Sequence, residues 1–96
     1  MFPRIGTYTD ELLILADGVA KKIDGGIDIN VLAYFSSDAV GSVTVTLDTG
    51  LVITATSPSG GGKVVTTRNH YETYGATEAT LDASGLTAGS AQVSLF

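Results

Sequence analysis

Between residues 27 and 35 the chain reads Ile-Asp-Ile-Asn-Val-Leu-Ala-Tyr-Phe, which sets Ile27, Ile29, Val31, Ala33 and Phe35 on one side of an extended backbone. Side chains of a β-strand alternate between its two faces, so an apolar phase of period two marks a strand with one buried face. The same phase returns at Val43, Val45 and Leu47, then at Leu51, Ile53 and Ala55. Shorter apolar sets follow at Val64 and Val65, at Ala79 and Leu81, and at Ala91, Val93 and Leu95. Gly, Ser, Asp and Pro separate them, and these are the residues that turns use for positive φ, fixed φ or local side-chain hydrogen bonds. Strands are therefore expected at 27–35, 42–47, 51–56, 63–67, 77–83 and 90–96. Asp48-Thr49-Gly50 has the length of a hairpin loop with Gly at its left-handed position.

Three stretches fit the alternation less well. Residues 11–23 support a helical face through Leu12, Leu15, Val19 and Ile23, or a hairpin centred on Asp17-Gly18. Strand is favoured, because Gly18 inside a helix would cost about 1 kcal/mol relative to Ala. Residues 36–41 and 84–89 read as turns, and Ser57-Pro58-Ser59-Gly60-Gly61-Gly62 as the most flexible loop tip. Residues 68–74, Arg-Asn-His-Tyr-Glu-Thr-Tyr, break the period and gather the sole His with two of the four Tyr. Turn signals recurring every 8–15 residues or so across about seven short strands point to an all-β Greek-key sandwich rather than to βαβ units. Residues 1–10 carry Pro3 and Gly6 without a stable period and read as an N-terminal arm ahead of a domain at 11–96.

The order of these pieces resembles the bacterial immunoglobulin-like domains of invasin and intimin-type adhesins. The residues that carry the resemblance are Ala16-Asp17-Gly18-Val19-Ala20, the strand at 27–35, Gly41-Ser-Val-Thr-Val-Thr-Leu47, Val65-Thr66-Thr67, Gly75-Ala-Thr-Glu-Ala-Thr-Leu81 and Ala88-Gly-Ser-Ala-Gln-Val93. It covers about residues 16–96. Residues 68–74 replace the family's short turn, and residues 1–15 have no counterpart. The resemblance implies an immunoglobulin-like sandwich, with the two departures as the places where this chain differs.

Composition narrows the function classes. Ninety-six residues bury roughly 60–65 % of the extended chain's surface, enough for one core. With 44 % hydrophobic and 16 % charged residues, thirteen Thr and twelve Gly, the chain has the make-up of a folded β domain. Five basic residues scattered among ten acids would meet a phosphate backbone with net repulsion, so nucleic acid is not an expected partner. No cysteine means no disulfide, no thiolate catalysis and no Cys-ligated zinc. The longest apolar run, 12–16, is far below the ~20 residues of a membrane helix, and the N-terminus lacks the charged-then-apolar order of a secretory signal. The expectation is a protein made in the cytoplasm from its own Met1, with no membrane partner.

Candidate chemistry is sparse. In an extended segment His70, Glu72 and Tyr74 would share a face, an acid–base pair or part of a weak glycan contact, but no nucleophile or orienting group accompanies them. The plainer reading is an exposed loop with aromatics packed on the sandwich edge. Asp17, Asp24, Asp28, Asp38, Asp48 and Asp82 are spread among turns rather than gathered at calcium-ligand spacing, so no metal or cofactor is expected. Gly60-Gly61-Gly62-Lys63 lacks the Ser or Thr that follows Lys in a phosphate loop; Val64 stands there. Contact residues are the remaining chemistry: Phe2, Arg4, Ile5 and Tyr8 in the arm as an assembly interface, and Arg68, His70, Tyr71 and Tyr74 as a surface contact.

An immunoglobulin-like domain without a catalytic centre makes sense as a part of something larger. The expectation is a structural, non-enzymatic virion protein: a capsid decoration or other head or tail surface component of a bacteriophage, made in the host cytoplasm and present in many copies against the major capsid protein or other virion proteins. The alternative is a repeat from a bacterial surface adhesin that binds a host receptor or glycan.

Overall fold

The computed structural model describes residues 12–96. In chain order the elements are β1 (Leu13–Leu15), β2 (Ala20–Lys22), β3 (Ile29–Phe35), β4 (Val40–Leu47), β5 (Val52–Thr56), β6 (Gly62–Arg68), the single helical turn α1 (His70–Thr73), β7 (Glu78–Asp82), β8 (Leu86–Ala88) and β9 (Ala91–Leu95). They form two antiparallel sheets. One has the order β1-β9-β3-β6, the other β2-β7-β4-β5, with β8 paired to the start of β4. The sheets face each other as a β-sandwich.

The core lies where the apolar phases meet. Ile29, Val31, Val43, Val45, Leu47, Leu81 and Val93 are each at most 5 % exposed, and full burial of one such side chain contributes about 1.5–3 kcal/mol. Ala33, Phe35, Ile53, Ala55, Ala79 and Leu95 complete the cluster. The period-two pattern follows because most strands have one face in this core and one in water, although in β3 and β9 the outward-facing Leu32 and Ser94 are buried too. The Asp48-Thr49-Gly50 hairpin forms with Gly50 at φ +98°. It is closed by Leu47 N–H donating to the Leu51 carbonyl at 2.8 Å.

Several local expectations change. Asp17-Gly18 is a turn, closed by Val19 N–H on the Ala16 carbonyl at 3.1 Å, but no hairpin flanks it. β1 joins one sheet and β2 the other, so the turn is a crossing between layers. Asp17 holds the crossing in place by accepting from Ala83 N–H at 2.9 Å. Within 36–41, Val40 and Gly41 belong to β4, where β8 pairs with a shifted register. Three-residue β8 itself arises in the stretch 84–89 expected to be turn alone. Together with the split of residues 12–23 it brings the strands among the described residues to nine rather than about seven. The glycine loop before β6 is not a free tip either. A Cβ on Gly61 would lie 2.3 Å from the Ser36 carbonyl oxygen, so this backbone is packed against the end of β3.

Candidate functional site

The stretch 68–74 departs most from what alternation predicts. β6 runs on to Arg68, and Asn69 then caps a helical turn: its side-chain oxygen accepts from Tyr71 N–H at 3.0 Å and Glu72 N–H at 3.1 Å. Such a cap is worth about 1 kcal/mol against Ala. The turn is fixed to the β2–β3 connection from beneath. Thr73 is fully buried, and its hydroxyl donates to the Ile27 carbonyl at 2.6 Å. Gly26 N–H donates to the Thr73 carbonyl at 3.3 Å. Gly25 fits only because it has no side chain, since a Cβ there would sit 2.3 Å from the Ala76 carbonyl and 2.7 Å from the Thr73 carbonyl. At the side, Asp28 accepts from His70 N–H at 2.7 Å.

What this scaffold presents is aromatic. Tyr71 is 81 % and Tyr74 79 % exposed, so neither packs on the sandwich edge as the plainer sequence reading held. His70 and Tyr71 stack with ring centroids 3.9 Å apart at a 40° tilt. The helical turn also separates the trio expected to share a face: side chains two apart on a helix point to nearly opposite sides. His70 turns to Asp28, with Nδ1 3.3 Å from Oδ1. Glu72 turns to Arg68, with a 2.8 Å ion pair between side chains about one-third exposed, and exposed pairs of this kind are worth about 0.2–1 kcal/mol. Arg68 reaches on to the Val52 carbonyl of β5 at 3.4 Å, bridging the two sheets. Arg68, His70, Tyr71 and Tyr74 are thus neighbours on one rigid projection, and the acid–base pair is not assembled. Phe2, Arg4, Ile5 and Tyr8 lie outside the described residues.

The turn aspartates are engaged in structure. Asp38 accepts from the Ser36 hydroxyl at 2.7 Å. Asp48 accepts from the Thr77 hydroxyl at 2.5 Å, from Thr77 N–H at 2.8 Å and from Glu78 N–H at 3.2 Å. These bonds, the Thr77 hydroxyl foremost, favour the ionised form and hold its pKa below the ordinary carboxylate value. Asp82 is lowered in the same way by Ser84, whose N–H it accepts at 2.8 Å. Among the described residues no three His, Asp or Glu side chains gather as a metal-binding group.

A second surface escaped the sequence reading. On the outer face of the first sheet the register places Ile14 beside Ser94, Ser94 beside Leu32, and Leu32 beside Val65. With Tyr34 they form a largely apolar band across the sheet, to which β9 contributes the buried Ser94; Leu32 is buried as well, while Ile14, Tyr34 and Val65 remain about half exposed. The signal was present: Leu32 and Tyr34 are the apolar residues of β3 that fall on the phase facing away from the core. Comparison with protein-family models, curated proteins and solved structures finds no match to this chain.

Proposed function

We propose that this domain is a non-enzymatic structural component of a bacteriophage virion, an immunoglobulin-like sandwich carried in many copies on the head or tail surface against the capsid or other virion proteins. The observation that carries the reading is the antiparallel pairing of β1 with β9. Leu13 lies beside Leu95, so the chain arrives and leaves at the same end of the sandwich. Both connections at one end leave the opposite end and the outer faces of the sheets free for contact with a support. Repeats of an adhesin rod, the second reading, need the chain to arrive at one end and leave at the other.

Three further observations support a contact role. Asp17 and Asp48 accept backbone N–H groups, a largely apolar band crosses the outer face of one sheet, and the Tyr71–Tyr74 projection carries solvent-facing aromatics of the kind enriched at interface centres. The immunoglobulin-like assignment rests on the order of the sequence pieces and agrees with two antiparallel sheets packed face to face.

Density-gradient purification of phage particles, followed by quantitative mass spectrometry, tests the proposal. The expected result is this chain co-purifying with the capsid protein in fixed, multi-copy ratio. Recovery in the bacterial envelope with none in particles would overturn it in favour of the adhesin reading.

A further inference from the structure

Among the described residues no strand pairs with the outer edge of β6 in the first sheet. Asn30 and Phe96 exchange both backbone hydrogen bonds, at 2.8 and 3.0 Å, so the even-numbered backbone groups of β3 face β9. Backbone groups alternate sides along an antiparallel strand, and the odd-numbered ones therefore face β6. Through the pairs Ile29–Arg68, Val31–Thr66, Ala33–Val64 and Phe35–Gly62, the even-numbered residues of β6 fill that ladder. Lys63, Val65 and Thr67 are left with N–H and C=O directed outward, and among the described residues β6 has no second neighbour.

Natural edges of this kind are usually blunted by Pro, a bulge, or brevity. β6 is seven residues long and pairs with β3 in unbroken register. The other edges are less available: β1 and β2 have three residues each, and at β5 the Val52 carbonyl is taken by Arg68. A strand laid against β6 would also extend the apolar band that ends at Val65.

We propose that β6 accepts residues 5–9 of a second copy of this chain as a fifth strand of the sheet. The inference rests on the reading of the protein as a multi-copy structural part, and names its self-contact. Ile5-Gly-Thr-Tyr-Thr9 is rich in β-branched and aromatic residues and free of Pro, and it matches the five residues Lys63 to Thr67 in length. Run antiparallel to β6 with Thr9 at Lys63, it brings Asp10 and Glu11 within reach of an exposed ammonium that has no ion pair among the described residues. The chain's own segment cannot serve. Thr9 and Leu13 are four residue steps apart and span at most about 14 Å, whereas a strand outside β6 lies four spacings, about 19 Å, from β1. Donor and acceptor edges are opposite sides of one sheet, so the contact is head-to-tail and builds rings or filaments.

The full-length chain tests this directly, since it has no native thiol. Chains bearing Thr7→Cys and Val65→Cys, which the register sets directly opposite each other, one isotope-labelled, are mixed and oxidised. Mixed disulfide dimers exceeding both homodimers are expected, and homodimers alone would overturn the proposal. Val65→Pro removes only an outward N–H and spares the β3 ladder, so this variant should keep the wild-type melting curve while losing concentration-dependent association in sedimentation. A folded Val65→Pro chain that associates like wild type refutes the β6 contact. Its normal incorporation into particles would refute the contact too and leave the virion reading standing. Mixed disulfides from a chain absent from particles would do the reverse.

Discussion

Gly25 is the position at which the aromatic projection is joined to the sandwich, and replacing it with alanine isolates that joint. Gly25 is not at positive φ, so the change carries no backbone penalty of that kind and should be read as packing alone. The added Cβ would meet the Ala76 carbonyl at 2.3 Å, Ala76 N at 2.7 Å and the Thr73 carbonyl at 2.7 Å, against 3.4 Å for ordinary contact. The worst overlap is 3.4 − 2.3 = 1.1 Å. All three neighbours are backbone, so no side chain can swing away. Overpacking of this sort costs about 1–3 kcal/mol and belongs at the upper end here. Against it stands about 0.4–1 kcal/mol from a stiffer unfolded chain. A net loss of about 2 kcal/mol should lower Tm by about 10 °C in a domain of this size. Thermal unfolding followed by far-ultraviolet circular dichroism measures it, with Gly50→Ala as comparison: that Cβ meets open space and carries only the cost of φ +98°, about 1–2 kcal/mol. A Gly25→Ala protein that melts at or above wild type would refute the packing of the turn against the β2–β3 connection.

Two other predictions concern the core and the acids. Val45→Asp or Leu81→Asp places an unpaired carboxylate at a site at most 5 % exposed, at a cost of several kcal/mol against a total stability of ~5–15, so either protein should be unfolded by circular dichroism; a variant with both that melts like wild type would refute the sandwich register. Asp48 has a folded pKa below its ordinary value of 3.8, so its contribution is present above the unfolded value and is lost as pH falls through the folded one. Asp48→Asn should therefore flatten the fall of Tm below about pH 4, and an unchanged acid limb would show that the Thr77 and Glu78 hydrogen bonds do not hold in solution.

The parts of the fold legible in the sequence were those governed by a single physical rule. Strands with one face in the core declared themselves by period two, and Ile29, Val31, Val43, Val45, Leu47, Leu81 and Val93, all on that phase, are buried. What stayed hidden depended on where the two ends of a segment go. Asp17-Gly18 does make a turn, but local chemistry does not reveal that Leu15 and Ala20 pair in different layers. β8 has three residues, too few for a period. At 68–74 the N-cap was written in Asn69, yet the anchor, Thr73 on the Ile27 carbonyl, lies 46 residues away. The structure brings Arg68, His70, Tyr71 and Tyr74 close together, while the shared face expected for His70, Glu72 and Tyr74 is lost, because it assumed extended backbone. The apolar band on the outer face needed the register of four strands before Ile14, Leu32 and Val65 could be seen as neighbours.

The pairing of β1 with β9 also sets how the domain yields under load. Force applied through its two ends acts at Leu13 and Leu95, opposite partners at the same end of one antiparallel pair. Tension there opens the ladder one rung at a time instead of shearing all rungs together. Only three residue pairs resist before the pull reaches the crossing at Asp17. A fold connected in this way is a poor tether and a good cover: pressed flat against a surface it keeps every contact, and drawn out by its ends it unzips from the first strand.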